Sequence, residues 1–277
     1  LVPVIAALLT ISNSTFSQQT DLPEEEIEKV STHSLYAGAG FGNNMVYMGS
    51  SISQDKPYFY GSLTYGLKEK LFVSASGFHL NAFDQTIAFS TLGANYSQVI
   101  NSWFDISAGL SGYLVNKNLA DTLFTSFLYG DITLGFDWKI LYTKISAGGL
   151  FAESSGVYFQ MRNSHFFQTP EIINGRAYIS FDPYINMLFG SMTETKTTDG
   201  TTIGITLPYH SKKSGGNSST TTIFGLTEVD LGIPISFNTD RFSLEAEPGF
   251  AIPLYSDTDP LNPKGFVLLV SCFIKIF

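Results

Sequence analysis

Apolar and polar side chains alternate, residue by residue, along several long runs of this chain. In the run 242–254, phenylalanine, leucine, isoleucine and other apolar residues occupy one set of alternate positions, while serine, glutamate and glycine occupy most of the other set. Successive side chains of a β-strand point to opposite faces, so such a run predicts a strand with one apolar and one polar face. The pattern recurs at 129–138, 176–189 and 228–237. No long segment shows a helical period, and the predicted fold class is all-β.

Turn-forming residues separate the strand-like runs. From about Ser34 onward, glycine, asparagine, aspartate and proline punctuate the chain, as expected for strands joined by turns. The runs between these breaks predict twelve strands, with ten and fourteen as the alternatives. The predicted strands cover residues 36–52, 58–66, 71–80, 86–100, 103–115, 124–138, 141–152, 156–168, 175–195, 222–238, 241–255 and 265–277.

The connections between the predicted strands alternate in length. The short ones lie at 66–70, 101–102, 139–140 and 239–240, and the long ones include 115–123, 197–221 and 256–264. Outer-membrane barrels have short periplasmic turns and longer outer loops, so this order places both termini on the periplasmic side. The connection at 54–57 departs from the pattern, because it is short and yet falls on the outer side.

The tenth and eleventh strands predict a register. If residues 239–240 form a two-residue turn, Phe237 lies opposite Phe242. Ile235 then lies opposite Leu244, and the apolar faces of the two strands coincide. One continuous apolar surface is therefore expected across this hairpin.

The composition separates a membrane barrel from a soluble one. Charged residues make up 14% of the chain and aromatic residues also 14%, whereas an ordinary soluble domain is about a quarter charged. A soluble β-sandwich or soluble barrel also alternates, but it buries its apolar face and would do so over far fewer strands. A lipid-facing band with aromatic girdles explains the balance. The sequence therefore predicts one closed antiparallel transmembrane β-barrel.

The first residues divide the chain into three predicted segments. Residues 1–17 hold an apolar run and then small polar residues, as in a secretory signal peptide, and Leu1 in place of methionine indicates that a basic start is missing. A membrane anchor is the alternative, but about 20 apolar residues are needed to span a bilayer. Residues 18–33 are predicted to form an acidic periplasmic tail and residues 34–277 the barrel. Cys272 is the only cysteine, which excludes an internal disulfide.

The chain ends in VSCFIKIF, residues 270–277. This ending resembles the last strand of outer-membrane proteins, whose terminal aromatic residue is recognised by the barrel assembly machinery. The resemblance assigns Phe273 and Phe277 to such an assembly signal. Lys275 lies on the same face, where those proteins usually carry an apolar residue.

Three further segments, 51–66, 224–237 and 242–257, look like strands of small outer-membrane barrel proteins of Bacteroidota, many of them uncharacterised. The similarity rests on the residue pattern over most of the chain. It implies a position in the cell outer membrane, among its lipids, and it implies no substrate.

The polar faces of the predicted strands carry many carboxylates. The formal net charge of −9 argues against nucleic-acid binding, which requires clustered lysine and arginine. An acidic lumen would favour cations and neutral polar solutes over anions. The alternative is a hydrogen-bonded plug of charges that holds the wall together. The predicted lumen-lining residues are Asp105, Asp131, Asp137, Lys144, Arg176, Asp182, Glu228, Asp230, Glu245 and Glu247.

The histidines His33, His79, His165 and His210 form no catalytic pattern. An outer-membrane phospholipase family of similar size requires a serine two positions after its histidine to build an activated nucleophile, and none of these four has one. Dispersed histidines and one cysteine also argue against a metal site. Glycines such as Gly40 alternate along a strand, where they relieve crowding instead of forming a phosphate loop. The sequence predicts no catalytic residue, no metal and no cofactor.

The sequence is compatible with two functions. One is a narrow pore for small cationic or neutral polar solutes. The other is a non-conducting structural or secretion-associated component that meets a surface protein partner through its outer loops. In the loop at 196–222, Lys212 and Lys213 either contact lipopolysaccharide or keep the loop solvated.

Overall fold

The computed structural model of the chain describes residues 32–47, 50–120, 122–152, 155–173, 175–197, 202–206, 218–254 and 265–277. The predicted signal peptide, most of the predicted acidic tail, and Lys212 and Lys213 lie outside the described residues. Within these ranges, no helix combines the length and the apolar character needed to cross a membrane.

Twelve strands build the wall of the molecule. The strands are β1 (His33–Gly42), β2 (Tyr58–Leu67), β3 (Leu71–Leu80), β4 (Phe89–Asn101), β5 (Phe104–Val115), β6 (Phe127–Asp137), β7 (Tyr142–Phe151), β8 (Gly156–Ser164 and Phe167–Gln168), β9 (Ala177–Phe181 and Tyr184–Thr197), β10 (Ser218–Gly232 and Ile235–Thr239), β11 (Phe242–Pro253) and β12 (Gly265–Lys275). Smaller elements are a hairpin of Val46–Tyr47 with Ser50–Ser51, a 3-10 turn at Lys117–Leu119, and a segment, Thr202–Thr206, paired with β9.

The sheet closes on itself because β12 pairs antiparallel with both β11 and β1. In the closing pair, Phe41 lies opposite Val270 and Gly38 opposite Phe273. The remaining strands pair antiparallel with their neighbours in the chain. The predicted fold, a closed antiparallel barrel of twelve strands, is confirmed.

The two rims of the barrel differ. The short turns after β2, β4, β6 and β10 lie at the rim where β1 begins and β12 ends, and we call it the inner rim. Most of the longer connections lie at the opposite, outer rim, where β9 and β10 continue their pairing as far as Thr197 and Ser218, whereas the connection at 169–176 between β8 and β9 lies at the inner rim. This asymmetry is the one expected of an outer-membrane barrel.

The outward-facing side chains form an apolar band around the barrel. Leu63, Leu92 and Ile132 each expose more than half of their surface. At the inner rim, the ring centroids of Trp103 and Trp138 lie 6.5 and 6.0 Å from that of Phe136. An apolar band with an aromatic girdle is the surface that lipid requires, and closure leaves no strand edge unpaired in the bilayer.

Prolines interrupt three neighbouring strands at the same level. Pro183 separates the two pieces of β9, Pro234 separates those of β10, and Pro248 lies in β11. Proline has no N–H group to donate to a ladder. The ladder continues through the proline carbonyls, because Asp182 N donates to Pro234 O at 3.1 Å and Ile233 N to Pro248 O at 3.0 Å. The wall therefore stays closed across the interruption.

The prediction of a first strand at 36–52 is wrong at its outer end. β1 ends at Gly42, and residues 43–57 form an outer loop. Met45 and Ile52 are buried inside the barrel. Apolar residues that pack inside a lumen look, in sequence, like a continuing lipid-facing strand. The short connection predicted in this region is part of the longer loop and agrees with an outer position.

The turn between β10 and β11 is shifted by one residue from its predicted place. Residues 240–241 form the turn, so Phe237 lies opposite Leu244 and not opposite Phe242. The Thr239 hydroxyl accepts from Phe242 N and donates to Phe242 O, each at 3.0 Å, which fixes the pair beside the turn. Alternation alone does not reveal this register, because moving the turn by one residue shifts the pairing by two and leaves both faces unchanged.

Three alternate glycines of β1 face large rings inside the barrel. A β-carbon on Gly40 would lie 2.3 Å from Cε1 of Tyr60, and one on Gly42 would lie 2.2 Å from Cε1 of Tyr58. Gly38 faces Phe273 in the same way. The rings therefore lie flat against the backbone of β1, in space that only glycine leaves free.

We expect Gly40→Val to destabilise the barrel. The branched side chain would displace Tyr60 and break the hydrogen bond from its hydroxyl to Ser271 Oγ, which is 2.9 Å long. Overpacking of this kind costs on the order of 1–3 kcal/mol. The measurement is the urea midpoint of the refolded barrel. Gly61→Val is the control, since a β-carbon there meets nothing within 4 Å, and an equal loss in both variants would contradict the packing described.

Candidate functional site in the barrel lumen

Aromatic and aliphatic side chains fill the outer half of the lumen. The ring centroids of Phe78 and Phe89 are 4.4 Å apart, and those of Tyr113 and Phe127 are 4.3 Å apart. All four side chains are buried. The wall contributes to this single cluster through Tyr58, Tyr60, Phe78, Leu80, Phe89, Tyr113, Phe127, Leu150, Tyr158, Leu188, Met192, Leu269 and Phe273.

Two outer loops supply further members of the cluster. Loop 1 comprises residues 43–57 and loop 3 comprises residues 116–126. Phe124 of loop 3 places its ring centroid 5.4 Å from Phe89 and 5.5 Å from Phe127. The buried loop side chains, which we call the apolar plug, are Met45, Ile52, Leu119, Leu123 and Phe124. The plug packs between the wall strands and obstructs the outer half of the lumen.

Loop 1 is a small folded unit held by its asparagines. Asn43 extends the pairing with β12, since its N donates to Leu268 O at 3.1 Å and its Oδ1 accepts from Leu268 N at 2.7 Å. Asn44 Oδ1 accepts from the hydroxyls of Ser51 at 2.6 Å and Ser53 at 3.0 Å. The loop is therefore attached to the wall at one edge and folded upon itself elsewhere.

Loop 3 begins with Asn116. Its N donates to Ala88 O at 2.8 Å and its Nδ2 donates to Ile87 O at 3.1 Å. Its Oδ1 accepts from Asn118 N at 3.1 Å, which starts the 3-10 turn that carries Leu119 into the cluster. A few hydrogen bonds and the buried side chains thus hold this loop in place.

Polar side chains line the inner half of the lumen. On β11, Glu245 and Glu247 alternate with the exposed Leu244, so they lie on the lumen side of the wall. Glu245 Oε2 accepts from the Ser236 hydroxyl at 2.9 Å, and Glu247 Oε1 accepts from the Tyr184 hydroxyl at 2.6 Å. Both carboxylates are bonded by neutral donors.

Three aspartates lie on the opposite part of the wall. Asp105 Oδ2 accepts from the Tyr142 hydroxyl at 2.6 Å, and Asp131 Oδ2 accepts from a neighbouring threonine hydroxyl at 3.2 Å. Asp137 is close to the inner rim, where its Oδ1 accepts from Lys139 N at 2.6 Å. The strand alternation of β5 and β6 places all three on the face opposite the apolar band.

Glu228 and Asp230 lie deep in the wall of β10. Asp230 Oδ2 accepts from Asn186 Nδ2 at 2.9 Å, and Asn186 Oδ1 in turn accepts from Gln160 Nε2 at 2.7 Å. Glu228 exposes 1% of its surface, and its Oε2 atom is buried without a hydrogen-bond partner. The Glu228 carboxyl is hydrogen-bonded to that of Asp230, so the two acidic groups lie side by side in the wall.

Arg162 is a lumen cation that the sequence analysis missed. Its Nη2 lies 3.3 Å from Asp182 Oδ2, and its guanidinium carbon lies 3.8 Å from the ring centroid of Tyr184. Lys144 lies opposite Arg162 in the β7–β8 register, with its Nζ 5.4 Å from the ring centroid of Tyr142. Alternation along β8 would have found Arg162, because it falls on the same face as the buried positions of that strand.

Arg176 lies apart from the other predicted lumen residues. It is exposed and precedes β9, in the turn at the inner rim. The ninth strand was predicted to begin at residue 175, so the alternation was extended into the turn. Arg176 therefore belongs to the mouth of the barrel and not to its wall.

Carboxylates outnumber cations in the described part of the lumen. The eight predicted carboxylates share the lumen with Lys144, Arg162 and, at the inner rim, Lys275, and Glu228 lies farther out, opposite Leu188 of the apolar cluster. In the described part of the lumen, the ion pair that the structure contains is Arg162–Asp182. Hydroxyls, amides and backbone N–H groups supply the hydrogen bonds described for the other carboxylates. The potential in this region is therefore negative.

The described residues bring together no group of three His, Cys, Asp or Glu side chains that could hold a metal ion. The Nδ1 atom of His33 contacts the Tyr65 hydroxyl, and that of His165 contacts the carbonyl of Ile140. Neither contact involves a serine, and His210 lies outside the described residues. The lumen site is therefore characterised by its charged side chains and its packing.

The two residues of the predicted assembly signal lie in different environments. Phe273 is 7% exposed and belongs to the cluster in the lumen, whereas Phe277 is 56% exposed beyond the end of β12. Lys275 follows Phe273 by two residues on the same strand, so both side chains lie on the lumen side. The role of Phe273 and Phe277 in assembly stays a prediction.

No protein-family model and no curated protein matches the chain. Among solved structures, the chain is similar to the KdgM porin in complex with disordered oligogalacturonate (8% identity, 88% of this chain and 99% of that chain, TM-score 0.47), to LpxR from Salmonella typhimurium (5%, 86% and 99%, 0.47) and to the NanC porin (9%, 87% and 100%, 0.45). No function is transferred from these likenesses.

The class of the protein follows from its own architecture. A closed antiparallel barrel, an apolar outer band, an aromatic girdle at the inner rim and asymmetric connections are together the features of barrels that reside in outer membranes. The chain is an outer-membrane β-barrel protein, in contact with membrane lipid over its outer surface.

Proposed function

We propose that this protein is a gated outer-membrane pore for small cationic or neutral polar solutes. The observation that carries the proposal is the excess of carboxylates over cations in the described part of the lumen. Such a region concentrates cations and repels anions. It forms the selective vestibule of the pore.

The buried charges argue for a solute-handling role. Ionisable side chains within a membrane-spanning segment are costly, and those without a protein counter-charge are costlier still. A barrel that served only as a scaffold would be more stable with neutral polar or apolar residues at these positions. The carboxylates of β10 and β11 are therefore best explained by a positively charged or hydrogen-bond-donating solute.

The apolar plug is the gate in this proposal. Its residues come from loops 1 and 3 and not from the hydrogen-bonded wall. Loops open at lower free-energy cost than paired strands do, since fewer backbone hydrogen bonds must break. Displacing loop 3 removes three buried side chains from the lumen without unpairing any wall strand.

A non-conducting surface component is the second candidate, and the same plug favours it. If the apolar cluster never opens, the lumen is simply the core of a stable barrel, and the long extension of β9 and β10 beyond the outer rim is the contact surface. This candidate predicts that disrupting the plug destabilises the barrel and produces no current.

We also propose the route by which the protein reaches the membrane. A signal peptide at residues 1–17 would direct export, and the C-terminal aromatic residue Phe277 would be recognised by the barrel assembly machinery. Lipopolysaccharide would contact the outer loops, including Lys212 and Lys213. The resemblance of the strand segments to barrel proteins of Bacteroidota supports this route.

Single-channel recording of the refolded full chain in a planar bilayer tests the pore. We expect long closed periods, imposed by the plug, interrupted by brief openings that select for cations. Openings that select for anions would contradict the acidic vestibule. Silence from folded protein, both with and without an intact plug, would favour the non-conducting candidate.

A further inference from the structure

A glycine interrupts a polar row on the lumen face of β4, β5 and β6, inward of Tyr113 and Phe127. Asn95 of β4 lies opposite Gly109 of β5, and Gly109 lies opposite Asp131 of β6. A β-carbon on Gly109 would lie 2.8 Å from Asp131 Oδ1 and 3.4 Å from Asn95 Nδ2. The amide and the carboxylate therefore border the space that this glycine leaves free, which we call the Gly109 gap.

The amide oxygen of Asn95 has no hydrogen-bond donor in the described part of the chain. Asn95 is 5% exposed, and its Oδ1 atom is buried without a partner. Leaving a buried acceptor unpaired is unfavourable. Because the Nδ2 atom of the same amide lies beside the Gly109 gap, a molecule that enters the gap is in a position to supply the missing donor.

Asp131 presents an acceptor on the other side of the gap. Its Oδ2 accepts from the Thr133 hydroxyl at 3.2 Å, whereas its Oδ1 is the atom that lies beside the gap. A carboxylate has about four acceptor positions, so acceptor capacity remains on the gap side. Asp131 is also partly exposed, which makes the gap reachable from the lumen.

The neighbouring row adds neutral hydroxyl groups to these surroundings. It places Gly93 of β4 between Ser74 of β3 and Ser111 of β5. The Oγ atoms of Ser111 and Ser74 lie 3.0 and 3.3 Å from the position of a β-carbon on Gly93. Asp131 is the one charged side chain among the residues of the two rows on β3 to β6.

Two adjacent hydroxyl groups match the unpaired positions. One hydroxyl donates to Asn95 Oδ1, and the other donates to Asp131 Oδ1 in a charge-assisted hydrogen bond. Either hydroxyl oxygen can accept from Asn95 Nδ2 or from a serine hydroxyl. A cation would find one carboxylate and no second charged acceptor, and the described residues include no group of three ligands for a metal ion.

We propose that the Gly109 gap binds two adjacent hydroxyl groups of a small neutral polyol, held between Asn95 and Asp131. The inference rests on the proposed function and deepens it by naming the class of neutral solute. The hydroxyl groups occupy the space that the absent side chain of Gly109 leaves free. The site lies in the lumen wall, so a solute that moves along the lumen passes it.

Nuclear magnetic resonance of the refolded full chain in detergent, isotope-labelled at the asparagine side-chain nitrogen, tests the site with glycerol as the probe. The signal of the Asn95 amide, assigned by its loss in Asn95→Ser, should shift and saturate as glycerol is added. With 1,3-propanediol, which has as many carbons but no adjacent hydroxyls, half-saturation should require at least a fivefold higher concentration. A shift that grows without saturating would mean that water pairs with Asn95, and would overturn the proposal. Equal half-saturation by both compounds would overturn it as well.

Two variants locate the binding. Gly109→Ala places a methyl group in the gap, and we expect at least tenfold weaker binding of glycerol. Gly112→Ala on the same strand is the control, since the atom its β-carbon would approach is Leu92 O, at 3.9 Å. Asp131→Asn keeps the size of the side chain and removes its charge, and we expect severalfold weaker binding. Glycerol binding unaffected by both Gly109→Ala and Asp131→Asn, in folded barrels, would contradict the assignment.

The outcome is separable from that of the pore. Saturable glycerol binding to a barrel that never conducts would keep the site and reject the pore, since the amide signal needs no current. Cation-selective current without saturable glycerol binding would keep the pore and reject this site.

Discussion

Replacing the five apolar-plug residues Met45, Ile52, Leu119, Leu123 and Phe124 by serine is expected to turn a mostly closed barrel into a continuously conducting one. Each of these side chains contributes roughly 1.5–3 kcal/mol through burial, and serine retains almost none of it. The loops would leave the lumen, and water would enter the outer half. The open probability in single-channel recordings should rise at least tenfold.

A matched variant controls for loop substitution as such. Lys117, Asn118 and Thr122 are exposed residues of loop 3 next to its plug residues, so replacing these three by serine alters the same loop without emptying the lumen. We expect the open probability of this control to match that of the unaltered chain. A five-serine barrel that is folded and silent would contradict a gating role for the plug.

The second large effect concerns selectivity. In the five-serine barrel, the double substitution Glu245→Gln and Glu247→Gln should reduce the preference for cations severalfold. Both carboxylates lie on the lumen side of β11, and their removal takes two negative charges from the vestibule. The measured quantity is the permeability ratio of potassium to chloride.

The control for this measurement removes the same charge outside the lumen. Asp84 lies in an outer loop and Glu171 in the turn at the inner rim, and both are exposed. The pair Asp84→Asn and Glu171→Gln should leave the permeability ratio nearly unchanged, because exposed charges are screened by salt. If the two pairs lower the ratio equally, the lumen assignment of Glu245 and Glu247 is wrong.

The strand positions could be predicted from the sequence because one side of the barrel wall faces lipid. The prediction of β3 at 71–80 coincides with Leu71–Leu80. Membrane lipid requires an apolar outer face. Apolar residues therefore recur at every second position of a strand. The closed barrel and its strand number follow from this period and from the order of short and long connections.

The apolar plug could not be predicted from the same pattern. Met45 and Ile52 are apolar because they pack in the lumen, and Phe124 was assigned to the start of a strand for the same reason. Alternation indicates that a residue is shielded from water, but it does not indicate whether lipid or other side chains cover it. Only the fold shows that these side chains come from loops and pack against rings of the wall strands inside the lumen.

For the polar residues of the lumen as well, some features could be predicted from the sequence and others could not. Alternation placed Glu245 and Glu247 on one face, but the bonds from Ser236 and Tyr184 depend on the neighbouring strands and their register. Arg162 needed only the alternation of β8 and was overlooked, while Arg176 was assigned to a strand that begins after it. The error at Arg176 arose at a strand end, where the period is interrupted by a turn.

The reversal potential of the five-serine barrel under a potassium chloride gradient tests the central claim most directly, because it measures the sign of the lumen potential once the gate is removed. The structure predicts a reversal potential displaced towards that of potassium. A potential at zero or displaced towards that of chloride, from a barrel shown to be folded and open, would contradict an acidic selective vestibule.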